Sequence, residues 1–377
     1  MGKSTKSKAK AGRLDPYEVG PLGLYQLVDE KGAEVAEIPE LPEGLAVRLL
    51  EAMLFQRALD QRMLNLQRQG RIGFYGTAKG QEGAVLGSGA AFEEQDWLFP
   101  ALREGAIALW RGMKLEHYIA QCFGNSADPT LGRQMPCHYS DGPTRYVSLS
   151  SPIGTQISHA AGAARAVQVK GETDRIVGGW LGDGATSSND FHAGMNFSAV
   201  WNSPIVYVCQ NNQWAISVPA AAQTASETFA VKADAYGMPG LRVDGNDVLA
   251  CYVATKMAAD RARRGDGPTF IECLTFRLGG HSSSDDPTKY RDETIAKTWE
   301  ARDPLLRHRA WLVDRGEWND ERQEDFLADA GKTISEAIAT VEAAAPVATE
   351  TLFTDVWAEA PTMLQDQANR LANEEMI

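Results

Sequence analysis

Between residues 176 and 274 the chain alternates short apolar runs with stretches patterned as helices, and few architectures accept that alternation. "IVGGWL" at 176–181 and "PIVYVC" from Pro204 carry no charged residue, and "GPTFIECLTFRL" from Gly267 is mostly apolar. Strands that are apolar on both faces lie between two layers. A small-residue helix over about 156–169, a helix running to about Trp201 and another over about 248–264 separate or precede these strands. Ser187, Ser188 and Asn189 offer side-chain oxygens to cap the second of these helices. The chain is therefore expected to be α/β, a parallel sheet with helices on both faces.

In such a sheet every strand opens its carboxyl end on one edge, where ligands bind. "IVGGWL" runs into Gly182-Asp183-Gly184, and "PIVYVC" runs into Gln210 and then Asn211-Asn212. Gly182 and Gly184 allow a sharp turn and close approach of a bulky anion. The helix beginning near Ser188 is expected to aim free N–H groups at the same place. One carboxylate, one amide oxygen and one backbone carbonyl make half of an octahedral oxygen shell, which suits Mg²⁺ completed by phosphate oxygens and water. A lone Gly-Asp-Gly would be an ordinary turn. Joined to Asn-Asn by one helix and one strand, it spells a site for a magnesium-bridged diphosphate.

The remainder of the chain frames this unit. Residues 1–44 are expected to form a flexible basic tail ("MGKSTKSKAKAGR") followed by a proline-marked extended arm, because the tail lacks the apolar stretch of a secretory signal. Residues 45–297 form the α/β domain, opened by a helix from Leu45 that Gly70 stops and by a tightly packed small-residue helix in "KGQEGAVLGSGAAF". The polar, turn-rich stretch Asp128–Gln156, which contains Met135, Tyr139 and Tyr146, is expected to be an ordered loop lining the site. Residues 298–377 read as a charged helical segment packed on the same domain. The net charge of −13 argues against nucleic acid as the main partner, and no apolar run is long enough for a membrane span. Five scattered cysteines form no CxxC pair and imply a reducing compartment; Cys209 and Cys273 fall inside strands as core residues.

Beyond the Asp183 and Asn212 pattern, the segments "GRQMPCHYS", "SSPIGTQ", "CQNNQWAIS", "RVDGNDV", "GGHSSSDDPTKYR" and "LFTDVWAEAP" are spread along the chain. With these segments the sequence closely resembles, from about Leu45 onward, the alpha subunits of thiamine-diphosphate-dependent 2-oxo acid dehydrogenases. The first and last segments most resemble the branched-chain member. The resemblance implies a thiamine-diphosphate-binding fold. It implies that Asp183, the side chain of Asn212 and the carbonyl of Trp214 bind Mg²⁺. Arg103, Gly182, and the backbone N–H groups of Gly184 and Ala185 would meet the diphosphate. The Ser151 carbonyl would receive the aminopyrimidine amine, and Ile153 would hold the cofactor bent. Ser150, Pro152, Thr155 and Gln156 match a structural K⁺ site, and Phe74 and Tyr75 match a substrate pocket. His281, in a polar glycine-led loop, would be the catalytic and cofactor-facing histidine. Ser282 matches a phosphorylation position, beside Asp285 and Asp286. His138, His159 and His192 read as structural.

Two positions depart from the family pattern. Leu102 stands where a tyrosine usually precedes the arginine, and Gln210 stands where branched-chain relatives often carry arginine, so a weaker hold on the cofactor is expected. The resemblance further implies an α2β2 heterotetramer whose beta subunit supplies a glutamate, with transfer of the acyl group to a lipoyl-bearing acyltransferase core. The implied location is the cytoplasm of a bacterium or the mitochondrial matrix of a eukaryote. A pyruvate or acetoin dehydrogenase alpha subunit, a non-catalytic structural or regulatory partner, and a magnesium-dependent phosphate hydrolase remain as other readings.

Overall fold

The computed structural model describes residues 16–19, 22–355 and 357–373, so the basic tail expected at residues 1–13 lies outside the described residues. The strands are β1 (Trp97–Phe99), β2 (Val177–Gly182), β3 (Ile205–Asn211), β4 (Trp214–Ala215), β5 (Val218–Pro219), β6 (Gly240–Asp244) and β7 (Thr269–Leu274). Five of them form one sheet in the order β1-β2-β3-β7-β6, every pairing parallel, while β4 and β5 make a short antiparallel hairpin directly after β3.

Alternation along the strands sends side chains to two separate cores. On β3, Ile205, Tyr207 and Cys209 join Ile157, Ala160, Phe191 and Met195 from the helices Thr155–Lys170 and Asn189–Val200. Val206 and Val208 point the other way, into a larger core with Val85, Leu86, Leu249 and Cys251. The helix Glu82–Gly89 is entirely buried there. A Cβ on Gly87 would lie 2.5 Å from the Val248 carbonyl and 2.7 Å from the Cys251 Cβ, so only glycine lets this helix touch Val248–Arg263 so closely. The same larger core takes in Trp311, Leu312, Ile334 and Ile338 from the C-terminal helices Pro304–Asp314 and Asp320–Glu342.

The arm reaches the β6 edge of the sheet. Tyr25 donates its N–H to the Arg242 carbonyl at 2.8 Å and accepts from Asp244 N–H at 3.0 Å, which covers an otherwise open edge. Asp247 ties this arrangement together: Oδ1 caps the helix Val248–Arg263 through Leu249 and Ala250 N–H, while Oδ2 accepts from Leu27 and Val28 N–H, both at 2.7 Å.

Two local features differ from the sequence reading. The helix expected to point its N-terminus at the sheet edge starts at Asn189, and a five-residue 3₁₀ turn, Asp183–Ser187, intervenes. The Ser188 hydroxyl already caps that helix by accepting from Phe191 N–H at 3.1 Å. Gly182 is also ordinary extended backbone, at φ −88° and ψ 165°, with nothing within 4 Å of where a Cβ would sit. The demand for glycine falls on Gly184, whose Cβ would lie 2.7 Å from that of Ala215. No helix among the described residues is long and apolar enough to cross a membrane.

Candidate active site

The parallel sheet carries four chemistry-bearing groups to one edge: Arg103 beyond β1, Asp183 after β2, Asn212 after β3 and Arg277 after β7. Asp183 is 1% exposed, and among the described residues no cation lies within ion-pair distance of it. Burial pushes its carboxyl up to about 6, opposed by a 2.6 Å hydrogen bond from Gln223 Nε2. A buried carboxylate with one amide donor and no counter-ion is short of positive charge.

Asn212 donates Nδ2 to Gln81 Oε1 at 2.9 Å, which turns its Oδ1 toward the hairpin, where Trp214 N–H donates to it at 3.1 Å. The hairpin leans on the Asp183 turn through the Gly184–Ala215 approach. Gln213 and Ile216 have φ of 70° and 54°. The left-handed region is costly for a β-branched residue, so the turn after Asn212 is strained. Arg277 holds it: Nη1 donates to the Trp214 carbonyl at 3.2 Å and Nη2 to the Ile216 carbonyl at 2.7 Å. Asn211 is drawn away, donating to Glu272 Oε1 at 2.7 Å, so only the second asparagine serves the site.

Arg103 and Arg277 are 7% and 1% exposed, and neither forms an ion pair among the described residues. Arg103 donates Nη1 to the Thr77 carbonyl and Nη2 to the His281 carbonyl, the latter at 2.8 Å. Burial, then the Arg277 charge, lowers its guanidinium to about 10. Burial and these same two arginines hold His281 down at about 4, so its ring is neutral near pH 7. Two buried guanidinium groups, one of which depresses the other, and a neutral histidine make a cluster that favours an anion.

The remaining candidate residues have their own partners. Gly182 is half-buried, and Ala185 is buried inside the 3₁₀ turn. Ser151 is exposed, with Oγ 2.5 Å from His138 Nε2, and Ile153 is 66% exposed, a large apolar side chain left without cover in this chain. Thr155 Oγ1 donates to the Pro152 carbonyl at 3.1 Å, and Gln156 Nε2 to the Trp180 carbonyl at 3.0 Å; Ser150 is half-buried. Phe74 is half-buried, whereas Tyr75 is buried with its hydroxyl donated to Asp60 at 2.8 Å. Ser282 is half-buried next to His281, whose N–H donates to Asp285 Oδ2 at 2.6 Å.

Among the described residues no three His, Cys, Asp or Glu side chains cluster to hold a metal unaided. One carboxylate, one amide oxygen and one carbonyl beside an anion pocket instead suit a hard cation that completes its shell from a phosphate. The residues present therefore fit Mg²⁺ and a diphosphate together.

The family model described as the dehydrogenase E1 component matches residues 50–350. The chain belongs to the dehydrogenase E1 component family. Members similar to it include the 3-methyl-2-oxobutanoate dehydrogenase subunit alpha of Mycobacterium tuberculosis, 42% identical over 98% of both chains. The 2-oxoisovalerate dehydrogenase subunit alpha 1, mitochondrial, of Arabidopsis thaliana is 41% identical over 92% of this chain and 74% of its own. The Homo sapiens 2-oxoisovalerate dehydrogenase subunit alpha, mitochondrial, is 37% identical over 98% and 84%. Within this E1 chain, sequence reasoning missed Arg277, Gln223 and Gln81. Arg277 left a signal, a cation three residues past an apolar strand at the ligand edge; the two glutamines left none.

Proposed function

We propose that this chain is the alpha subunit of a heterotetrameric 2-oxo acid dehydrogenase that oxidatively decarboxylates branched-chain 2-oxo acids and passes the acyl group to a lipoyl group. The observation that carries the reading is the ion-pair-free pocket of Arg103, Arg277 and His281 beside buried Asp183. The substrate class is supported by relatives that match nearly the whole chain and are named for 2-oxoisovalerate or 3-methyl-2-oxobutanoate, two names for one branched acid.

Thiamine diphosphate, when bound, supplies a nucleophilic carbon and an electron sink for loss of CO₂. This chain's residues would hold and orient it. Asp183, Asn212 Oδ1 and the Trp214 carbonyl would hold Mg²⁺, while Arg103, Gly182, Gly184 and Ala185 would meet the diphosphate. Ser151 would accept from the aminopyrimidine amine through its carbonyl, and Ile153 would be the apolar wedge. Ser150, Pro152, Thr155 and Gln156 would hold K⁺. Phe74 would line the acyl side chain's pocket, with Tyr75 behind it. His281, kept neutral by burial and by the two arginines, would accept or hold a proton at the substrate. A phosphate on Ser282 would face Asp285, whose carboxylate holds the His281 backbone, and like charges there would open the loop. The partner is a beta subunit that supplies a glutamate.

The test is dye-coupled oxidation of 3-methyl-2-oxobutanoate and of pyruvate by this chain reconstituted with its beta subunit, Mg²⁺ and thiamine diphosphate. The reading expects a strong preference for the branched acid. A preference for pyruvate would overturn the substrate, and turnover of neither with cofactor bound would overturn the activity.

A further inference from the structure

The groups around the anion pocket are backbone-held, and their backbone is held in turn by one carboxylate outside the pocket. Asp60 lies midway along the helix Leu45–Arg68 and is 2% exposed. Its Oδ1 accepts from Gln56 Nε2 at 2.6 Å and from the Tyr75 hydroxyl at 2.8 Å, while Oδ2 accepts from Ala78 N–H at 2.8 Å. Three donors converge on two oxygens, so Asp60 fastens both ends of the four-residue segment 75–78 to a rigid helix.

That segment touches the site three ways. The Thr77 carbonyl accepts from Arg103 Nη1. Tyr75 exchanges two hydrogen bonds with Ser283, which lies two residues past His281: its N–H donates to Ser283 Oγ at 3.1 Å, and its carbonyl accepts from Ser283 N–H at 2.8 Å. The Ala78 carbonyl accepts from Gln81 N–H at 2.8 Å, and the Gln81 side chain orients Asn212. Moving the segment would displace Arg103, the His281 loop and the amide of Asn212 together. Gly76 lies beside both, since a Cβ there would sit at ordinary contact distance, 3.8 Å from the His281 carbonyl and 3.9 Å from Arg103 Nη1.

We propose that Asp60 is a positioning residue of the active site, which sets the affinity for thiamine diphosphate by fixing the segment 75–78 against Arg103. The proposal rests on the cofactor reading above. Asparagine at position 60 would keep one acceptor but point an amide N–H₂ at Ala78 N–H or at Gln56, so one fastening must fail.

The test is a double-mutant cycle on the reconstituted α2β2 protein, with thiamine diphosphate titrated in the presence of Mg²⁺ and followed by calorimetry. Asp60→Asn is expected to raise Kd about tenfold in the wild-type background and by less than about twofold in the Arg103→Met background. The apo melting temperature should fall by a few degrees at most, equally in both backgrounds, so the cycle and not the melt carries the test. An unchanged Kd, or the same multiplicative loss in both backgrounds, would overturn the proposal, because a merely structural role adds independently of Arg103. If Asp60→Asn does not assemble, Tyr75→Phe carries the test: it removes one of the fastenings and should raise Kd about two- to fivefold in the wild-type background alone. No change there would also overturn the proposal. A wild-type heterotetramer that takes up no thiamine diphosphate would overturn the functional reading itself, and this inference with it.

Discussion

Replacing Gly184 by alanine should damage the metal site more than the fold. The added Cβ would lie 2.7 Å from the Ala215 Cβ, where ordinary contact begins near 3.4 Å, so the Asp183 turn and the Trp214–Ala215 hairpin must part by about 1 Å. Those two segments carry the proposed Mg²⁺ oxygens, and Mg²⁺ demands near-octahedral geometry at about 2.0–2.1 Å. Overpacking of this kind costs about 1–3 kcal/mol of stability, a fall of a few degrees in melting temperature. Displacing a ligand by about 1 Å should cost more at the site, raising the Kd for thiamine diphosphate at fixed Mg²⁺ by at least about a hundredfold, about 2.7 kcal/mol, the top of that stability range. Gly182→Ala is the internal control for the fold. Its backbone suits any residue and no atom lies within 4 Å of the new Cβ, so the apo stability should stay within about 0.5 kcal/mol of wild type. Calorimetric titration and apo thermal melting of both variants check this. A Gly184→Ala protein with wild-type cofactor affinity would refute the argument that the close approach sets the site.

Leu102→Tyr should restore a hydroxyl to the diphosphate and tighten cofactor binding about fivefold, read from the same titration; an unchanged constant counts against it. Gly87→Ala should destabilise the chain by about 1–3 kcal/mol in denaturant melts, because its Cβ meets Val248 and Cys251 in the buried helix–helix contact. Burial lowers His308 to about 4, opposed by its Ala46 carbonyl partner, which is below the ordinary histidine value. The neutral ring's contribution, about 3 kcal/mol, is therefore fully present above pH 6.5 and lost as pH falls toward 4. Buried Asp60 and Glu104, both raised by desolvation to about 7, pull the opposite way over part of that range. The expected signal is thus the stability of wild type relative to His308→Gln, which should decline between pH 6.5 and 4; a flat difference would contradict it.

The fold was legible where apolar runs were long enough to show their period. β2, β3 and the helices beside them fall within a residue or two of the reading, because each is bounded by glycine, proline or a cap, whereas β7 ends at Leu274, four residues before the end of its apolar run. β1 has three residues, too few for any period, and β6 lies in "GLRVDGNDV", where two charged residues in five hide an edge strand that the arm covers. At the site, Asp183 and Asn212 were legible because the fold itself fixes their spacing. Gln223 was not, since it reaches Asp183 from a turn 40 residues downstream. The left-handed Ile216 runs against its own propensity and has its carbonyl held by Arg277, a tertiary contact that no local pattern reports. Gln210 was read as a missing phosphate partner, and its side chain is found donating to buried Glu104 at 2.6 Å, behind Arg103 rather than in the anion pocket.

The measurement that bears most directly on the proposed site is calorimetric titration of thiamine diphosphate into the α2β2 protein, with Mg²⁺ and with the metal chelated. The account predicts one cofactor per alpha chain, bound only when Mg²⁺ is present, and little binding in either condition once Asp183 is replaced by alanine. Equal affinity with and without Mg²⁺, or an Asp183→Ala protein that binds as wild type does, would contradict it.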